Sequence, residues 1–479
     1  MPRPSWILAA FVAAAGSDAL AQSTATNLVM GAISFPGQRD NYAFNLATSS
    51  RFYFDSLTNS STLTWSLTGP EGAVVTDQAF SGSDAQSVNN PTVTLPAGAY
   101  TLTVRSGGGT TGGYGFRLVN LADATLLSPG TVVTNPSTPA NQTVLYQFPV
   151  TAGDRYYFHQ ISRTGLPNAW WRLMDPYGNQ IFSQGFSDVG TAANPISLTA
   201  AGTYTLMIEG YIGDTGVGSY SFSVVPEGNV PPASFTGTPI NPGDLVAGIL
   251  PANTTNSYIF TLANAIRVVF DPLTNSPNLT LTLSGPSGII VNQRGLNSVG
   301  GIYNFGPLNL PAGAYQLNVQ GNATNSYQFR MLDLASATPI TAGTTVTNAL
   351  NPASAAALYR FNVATGVRFF FDSLGVNNLP DAYWRLVDPN NTVIFMTGAG
   401  NSQGPLTLSN AGTYTLVVDG YFGDPGNGTN IFRVVPITDG LQALTLGNVT
   451  GGAIHSPGQR QQYTFTLGSA AQLYFDSLT

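Results

Sequence analysis

Two stretches of this chain space their acids in a way that suits a cation. Glu209-Gly210-Tyr211-Ile212-Gly213-Asp214 recurs as Asp419-Gly420-Tyr421-Phe422-Gly423-Asp424. Carboxylates five residues apart around glycines can hold a hard divalent ion such as calcium through side-chain and backbone carbonyl oxygens. The same stretches also read as glycine-shaped hairpin loops whose acids face water. A second feature lies nearby in sequence: Trp170-Trp171 matches Tyr383-Trp384. Neighbours along a strand point to opposite faces. Trp171 and Trp384, in register with Trp65, are therefore expected in a core, and Trp170 and Tyr383 outside it, together with Tyr211 and Tyr421. Planar rings on a surface suit stacking against a sugar face, or they cover an adjoining module.

Other reactive groups point away from catalysis. His159 and His455 are the only histidines. They belong to different modules, and neither has a serine or acid at matching positions, so no triad or His-based metal site is indicated. Asp55, Asp271, Asp372 and Asp476 each follow an aromatic strand, where an Asp can bond its own backbone and shape a turn. Glycoside hydrolysis needs two carboxyl groups within about 5–10 Å, which one acid per module does not supply. Cysteine is absent, and all 16 basic residues are Arg. This excludes disulfides, thiolate chemistry, Schiff bases and Lys–Asn isopeptide cross-links. A net charge of −7 and a pI near 4.7 argue against a nucleic-acid partner, because phosphate binding needs a basic surface. The expectation is a protein that is not an enzyme and has no obligatory cofactor, calcium being the one candidate. Its partners would be an extracellular glycan or protein.

The elements that must position these residues belong to a repeat. Tyr42-Ala43-Phe44 returns as Tyr146-Gln147-Phe148, Tyr258-Ile259-Phe260, Tyr359-Arg360-Phe361 and Tyr463-Thr464-Phe465. Four modules follow: A1 at 27–121, B1 at 124–226, A2 at 235–334 and B2 at 337–435. The start of a fifth, A3, covers 441–479 and is read as truncated within a longer gene product. The Trp-Arg and Gly-Tyr-x-Gly-Asp motifs mark the B modules. A-to-B junctions are short and alike, whereas the B1-to-A2 junction carries Pro226, Pro231 and Pro232, a stiffer spacer. Short alternating segments such as Leu63-Thr64-Trp65-Ser66-Leu67 and Tyr100-Thr101-Leu102-Thr103-Val104 are separated by Gly/Pro turns, as in an all-β sandwich. The glycine-rich stretch Gly107–Gly113 reads as a hairpin loop. Residues 1–21 read as a secretory signal, with Arg3, an apolar run from Trp6 to Gly16, and Ala19-Leu20-Ala21 before Gln22. No run is long enough to span a membrane as a helix.

The order of landmarks resembles the bacterial pre-peptidase C-terminal (PPC) domain. The resemblance rests on the Tyr-x-Phe strand, the Leu-x-Leu strand with its Pro-Gly turn, Ala97-Gly98-Ala99-Tyr100-Thr101-Leu102, and the closing Gly113-Tyr114-Gly115-Phe116. It implies a tandem array of jelly-roll-like antiparallel β-sandwich modules of the kind attached to secreted bacterial proteins. Some such domains are linked to carbohydrate or protein-matrix binding and some to calcium. The acids that the family often carries before the Tyr-x-Phe strand reduce here to Asp40. The expected role is a secreted or cell-surface adhesive or spacer array. The alternative is a carbohydrate-binding accessory region of a larger secreted hydrolase.

Overall fold

The computed structural model describes residues 28–70, 72–83, 85–88, 91–232, 234–298, 306–364 and 366–478. The expected signal segment, 1–21, lies outside them. The chain is all-β and forms paired antiparallel sheets. In A1 the strands are β1 (Val29–Ile33), β2 (Arg39–Leu46), β3 (Ser50–Ser56), β4 (Leu63–Gly69), β5 (Gly72–Ala79), β6 (Thr92–Leu95), β7 (Gly98–Ser106) and β8 (Gly112–Asn120). They pair as two sheets, in the orders β1-β8-β3-β6 and β2-β7-β4-β5. This is the strand order of an eight-stranded jelly roll built from two Greek keys. Between the sheets, Phe54 stacks on Trp65 at 3.9 Å and on Phe116 at 5.1 Å.

B1 repeats the order with one addition. Its strands are β9 (Thr125–Leu126), β10 (Val132–Pro139), β11 (Val144–Val150), β12 (Asp154–Thr164), β13 (Trp170–Met174), β14 (Gln180–Gly185), β15 (Ile196–Leu198), β16 (Gly202–Glu209) and β17 (Val217–Asn229). The sheets are β10-β17-β12-β15 and β14-β13-β16-β11-β9. The short β9 runs parallel to the Tyr-x-Phe strand, with Thr125 opposite Tyr146. A2 and B2 have the same two sheets, with parallel entry strands at Thr238–Pro239 and Thr338–Pro339. After B2, Gly440–Ala443 pairs in parallel with Gln461–Thr464.

The repeat marker finds its place in the fold, and one sequence expectation needs correction. The Tyr-x-Phe strand is the second strand of a module, preceded by β1 in A1. Gly107–Gly113 is not a hairpin loop, because β7 and β8 lie in opposite sheets and the segment crosses between them. By contact density the chain forms two compact units, one reaching Phe235 and including Ser284–Ile290, the other comprising Thr236–Leu283 and Val291–Thr479. Among the described residues no helix is long and apolar enough to cross a membrane.

Candidate functional site

Alternation along β13 decides where the B-specific residues go. Trp171 and Leu173 face the jelly-roll core, where Trp171 packs edge-on to Phe186 at 4.8 Å. Trp170, Arg172 and Met174 face the other way. In register, Trp170 lies opposite Glu209 and Arg172 opposite Met207, so Arg172 and Glu209 are diagonal neighbours on this outer face. Outer-face residues are expected to be wet, yet Arg172 is 1 % and Glu209 0 % exposed. They are buried because A1 covers them.

The cover is an interface core of Tyr53, Leu121, Ala124, Leu145, Met174 and Met207. Polar groups cross it in a dense set. Asp55 on β3 sits opposite Arg117 on β8 and is ion-paired to it. Asp55 also accepts the backbone N–H of Thr143 at 3.2 Å, and Arg117 donates to the Thr143 carbonyl. The Tyr53 hydroxyl meets the Thr143 hydroxyl at 3.1 Å. From the B1 side, Arg172 Nε lies 3.3 Å from Glu209 Oε2. Its Nη2 donates to the carbonyls of Ala85 and Val88 at 2.9 and 3.0 Å.

The second unit builds the same arrangement. Asp271 pairs with Arg330 at 2.5 Å and accepts the Ala356 N–H at 3.0 Å. Arg385 Nε lies 3.1 Å from Asp419 Oδ2. The apolar part is Val269, Leu334, Ala337, Leu358, Val387 and Val417. Burial pushes the Glu209 carboxyl up to about 7, against the pull of Arg172, and pushes Asp271 up to about 7, against Arg330. Asp55 is raised for the same reason.

The proposed cation quartet is therefore divided. Glu209 and Asp419 are interface acids, each neutralised by an arginine. Asp214 lies in the following loop, where it accepts the backbone N–H of Asn168 at 3.3 Å and its side-chain amide at 2.8 Å. Asp424 occupies the equivalent place beside Asp381. Among the described residues no three Asp, Glu or His side chains converge. The rings are half-buried rather than fully displayed. Trp170 Nε1 donates to Ser183 Oγ at 2.6 Å, Tyr421 packs on Phe422 at 4.3 Å, and Tyr211 and Tyr383 are intermediate in exposure.

Asp55 and Asp271 are interface anchors rather than the turn-shaping residues expected. Asp372 pairs instead with Arg433 at 2.7 Å on a partly exposed surface, and Asp476 is exposed. His159, which the sequence left without a partner, has its Nδ1 3.1 Å from Asp188 and 2.8 Å from the Tyr157 hydroxyl. His455 is exposed, and its backbone N–H donates to Gln459 Oε1 at 2.7 Å. Sequence reading also missed Arg172 and Arg385 as partners of Glu209 and Asp419. The available signal was that each Arg-acid combination occurs only in B modules.

No family model and no curated protein sequence matches the chain. Among solved structures, the CUB1-EGF-CUB2 domain of human MASP-1/3 aligns at 12% identity over 41% of this chain and 99% of that one, with a TM-score of 0.14. The corresponding rat MASP-1 domains align at 10% identity, covering 44% and 99%, with a TM-score of 0.15. Tripeptidyl peptidase 2 aligns at 12% identity over 87% of this chain and 32% of that one, with a TM-score of 0.16. None of these values carries a functional assignment.

Proposed function

We propose that the chain is a non-catalytic, secreted or surface-borne repeat protein whose A and B modules work as coupled pairs in an adhesive or spacer array. The observation that carries this reading is the duplicated A–B clamp. The acids and arginines that could have formed reactive clusters are spent, in both pairs, on fixing one module to the next. Buried, charge-paired contacts of this kind fix geometry more than they add stability, which suits a load-bearing array. The N-terminal secretory pattern and the resemblance to PPC domains support export.

A second reading, a carbohydrate-binding accessory region, is favoured by one observation. Trp170 and Tyr383 occupy matching, half-exposed positions on the two B modules, with Tyr211 and Tyr421 following the adjacent strands. One experiment separates the readings. The secreted chain is applied to a glycan array and, in parallel, assayed for peptidase, esterase and glycosidase turnover. The array reading expects neither binding nor turnover. Glycan binding lost in Trp170→Ala and Tyr383→Ala would establish the second reading. Turnover lost on mutating any buried acid would overturn both.

A further inference from the structure

Nine carboxylates are buried among the described residues, and eight of them meet an arginine, a side-chain donor or a pair of backbone N–H groups. Asp55, Glu209, Asp271 and Asp419 have arginines. Asp40 has Tyr114, at 2.6 Å. Asp175 and Asp388 each cap a turn through two backbone N–H groups. Asp214 has the Asn168 amide. The ninth, Asp424, is 7 % exposed, and its Oδ2 is fully buried with no hydrogen-bond partner.

The internal repeat shows why. Asn168-Ala169-Trp170-Trp171 in B1 corresponds to Asp381-Ala382-Tyr383-Trp384 in B2. In B1 the loop acid meets a side-chain amide and a backbone N–H. In B2 the backbone N–H of Asp381 still donates to Asp424, but the amide is replaced by a second carboxylate. The exposed Asp381 carboxylate thus stands near Asp424, whose Oδ2 is buried without a partner. A buried carboxylate oxygen left without a donor carries its full desolvation cost, which a positive charge at this place would relieve.

We propose that Asp381 and Asp424 form a divalent-cation site, for calcium by its oxygen-only donors, present in B2 and absent from B1. Two carboxylates supply charge and anchor the ion, while backbone carbonyls and water complete a shell of six to eight oxygens. So few charged ligands place the affinity in the weak range of extracellular modules, with Kd on the order of 10⁻⁴–10⁻³ M. This site differs from the Glu209/Asp214 and Asp419/Asp424 spacing that the sequence suggested. Asp419 is held by Arg385 in the module interface, and the neighbour of Asp424 is Asp381, from the separate loop that precedes the Tyr383–Val387 strand. Burial and the charge of Asp381 raise the Asp424 carboxyl, so a proton competes with the cation as pH falls. The proposal is independent of the array reading and stands or falls without it.

The test uses the full chain at neutral pH, first stripped with EDTA, then titrated with calcium while unfolding is followed by calorimetry. Calcium at tenfold over Kd raises the folded-to-unfolded ratio about elevenfold and lifts the affected transition by about 5 °C. Asp381→Asn, which recreates the B1 arrangement, folds and loses this shift. Asn168→Asp, the converse change, adds a calcium response to the first unit. Terbium gives the same result through luminescence sensitised by the neighbouring tyrosines, lost in both Asp381→Asn and Asp424→Asn. The proposal is overturned if the wild type shows no shift at 10 mM calcium, or if Asp381→Asn keeps it. It is equally overturned if Asp381→Asn raises metal-free stability while calcium leaves the wild type unchanged, because the pair then shares a proton.

Discussion

At the residue scale, the chain's few charges are its most informative feature. Only 8% of residues are charged, yet four Arg–acid pairs lie wholly or largely inside the A–B interfaces. Removing one partner of such a pair leaves the other charge buried and uncompensated, which costs about 3–5 kcal/mol, whereas replacing both by apolar groups of similar size is close to neutral. Arg172→Ala is therefore expected to destabilise the first unit by about 3–5 kcal/mol in urea unfolding, since it strands Glu209 and frees the Ala85 and Val88 carbonyls. Arg172→Met combined with Glu209→Leu should recover most of that loss. Equal losses in the single and double variants would mean that packing, not charge, holds the interface. The residue types were visible in the sequence, but their pairing was not. Arg172 and Glu209 lie on adjacent strands 37 residues apart, and only the strand register, together with the cover supplied by A1, turns two solvent-facing positions into a buried pair.

At the element scale, the recurring Ala-Gly-x-Tyr motif acquires a physical cause. Gly98, Gly202, Gly313 and Gly412 open equivalent strands with φ between 136° and 144°, a conformation that L side chains rarely adopt. In three of them the missing Cβ is also replaced by a proline from a neighbouring turn: Pro70, Pro176 or Pro389 lies within 2.2–2.8 Å of where that atom would stand. The tyrosine two residues on turns back, and Tyr100, Tyr204 and Tyr315 each donate to a carbonyl four residues upstream. Gly202→Ala is expected to cost B1 about 1–3 kcal/mol, from strain and from the clash with Pro176. Gly216→Ala, at φ 82° but with open space around it, should cost less. Calorimetry of the two variants checks the order, and equal losses would remove Pro176 from the explanation. Period-two alternation was enough to find the strands and the sandwich class. It could not distinguish a hairpin from a crossing between sheets, which is why Gly107–Gly113 misled. Short glycine-rich loops serve both, and the difference lies in which strand each flank pairs with.

At the scale of the whole molecule, the clamps tie stability to pH in a direction opposite to that of most acid-bearing interfaces. Burial raises Asp271 to about 7 in the folded protein, above the ordinary carboxylate range near 4. The folded state thus holds its proton more tightly than the unfolded state between those values. The contribution of this group is fully present below about pH 4 and is lost as pH rises through 7. Glu209, also raised to about 7, acts in the same sense in the first unit. Each unit is therefore expected to melt at a lower temperature at pH 8 than at pH 5, as two calorimetric transitions matching the two compact units. Asp271→Asn carries no titrating proton at that place. It should flatten the pH dependence of the second unit's transition and leave that of the first unchanged. If the wild-type transitions instead rise between pH 5 and pH 8, Arg330 and Arg172 outweigh burial and the carboxylates are ionised throughout. A change in both transitions on Asp271→Asn would mean that the two units do not unfold separately. The separate response of one unit to one buried acid is what an array of paired modules requires, because each pair must carry its own clamp if pairs are to be repeated along a chain.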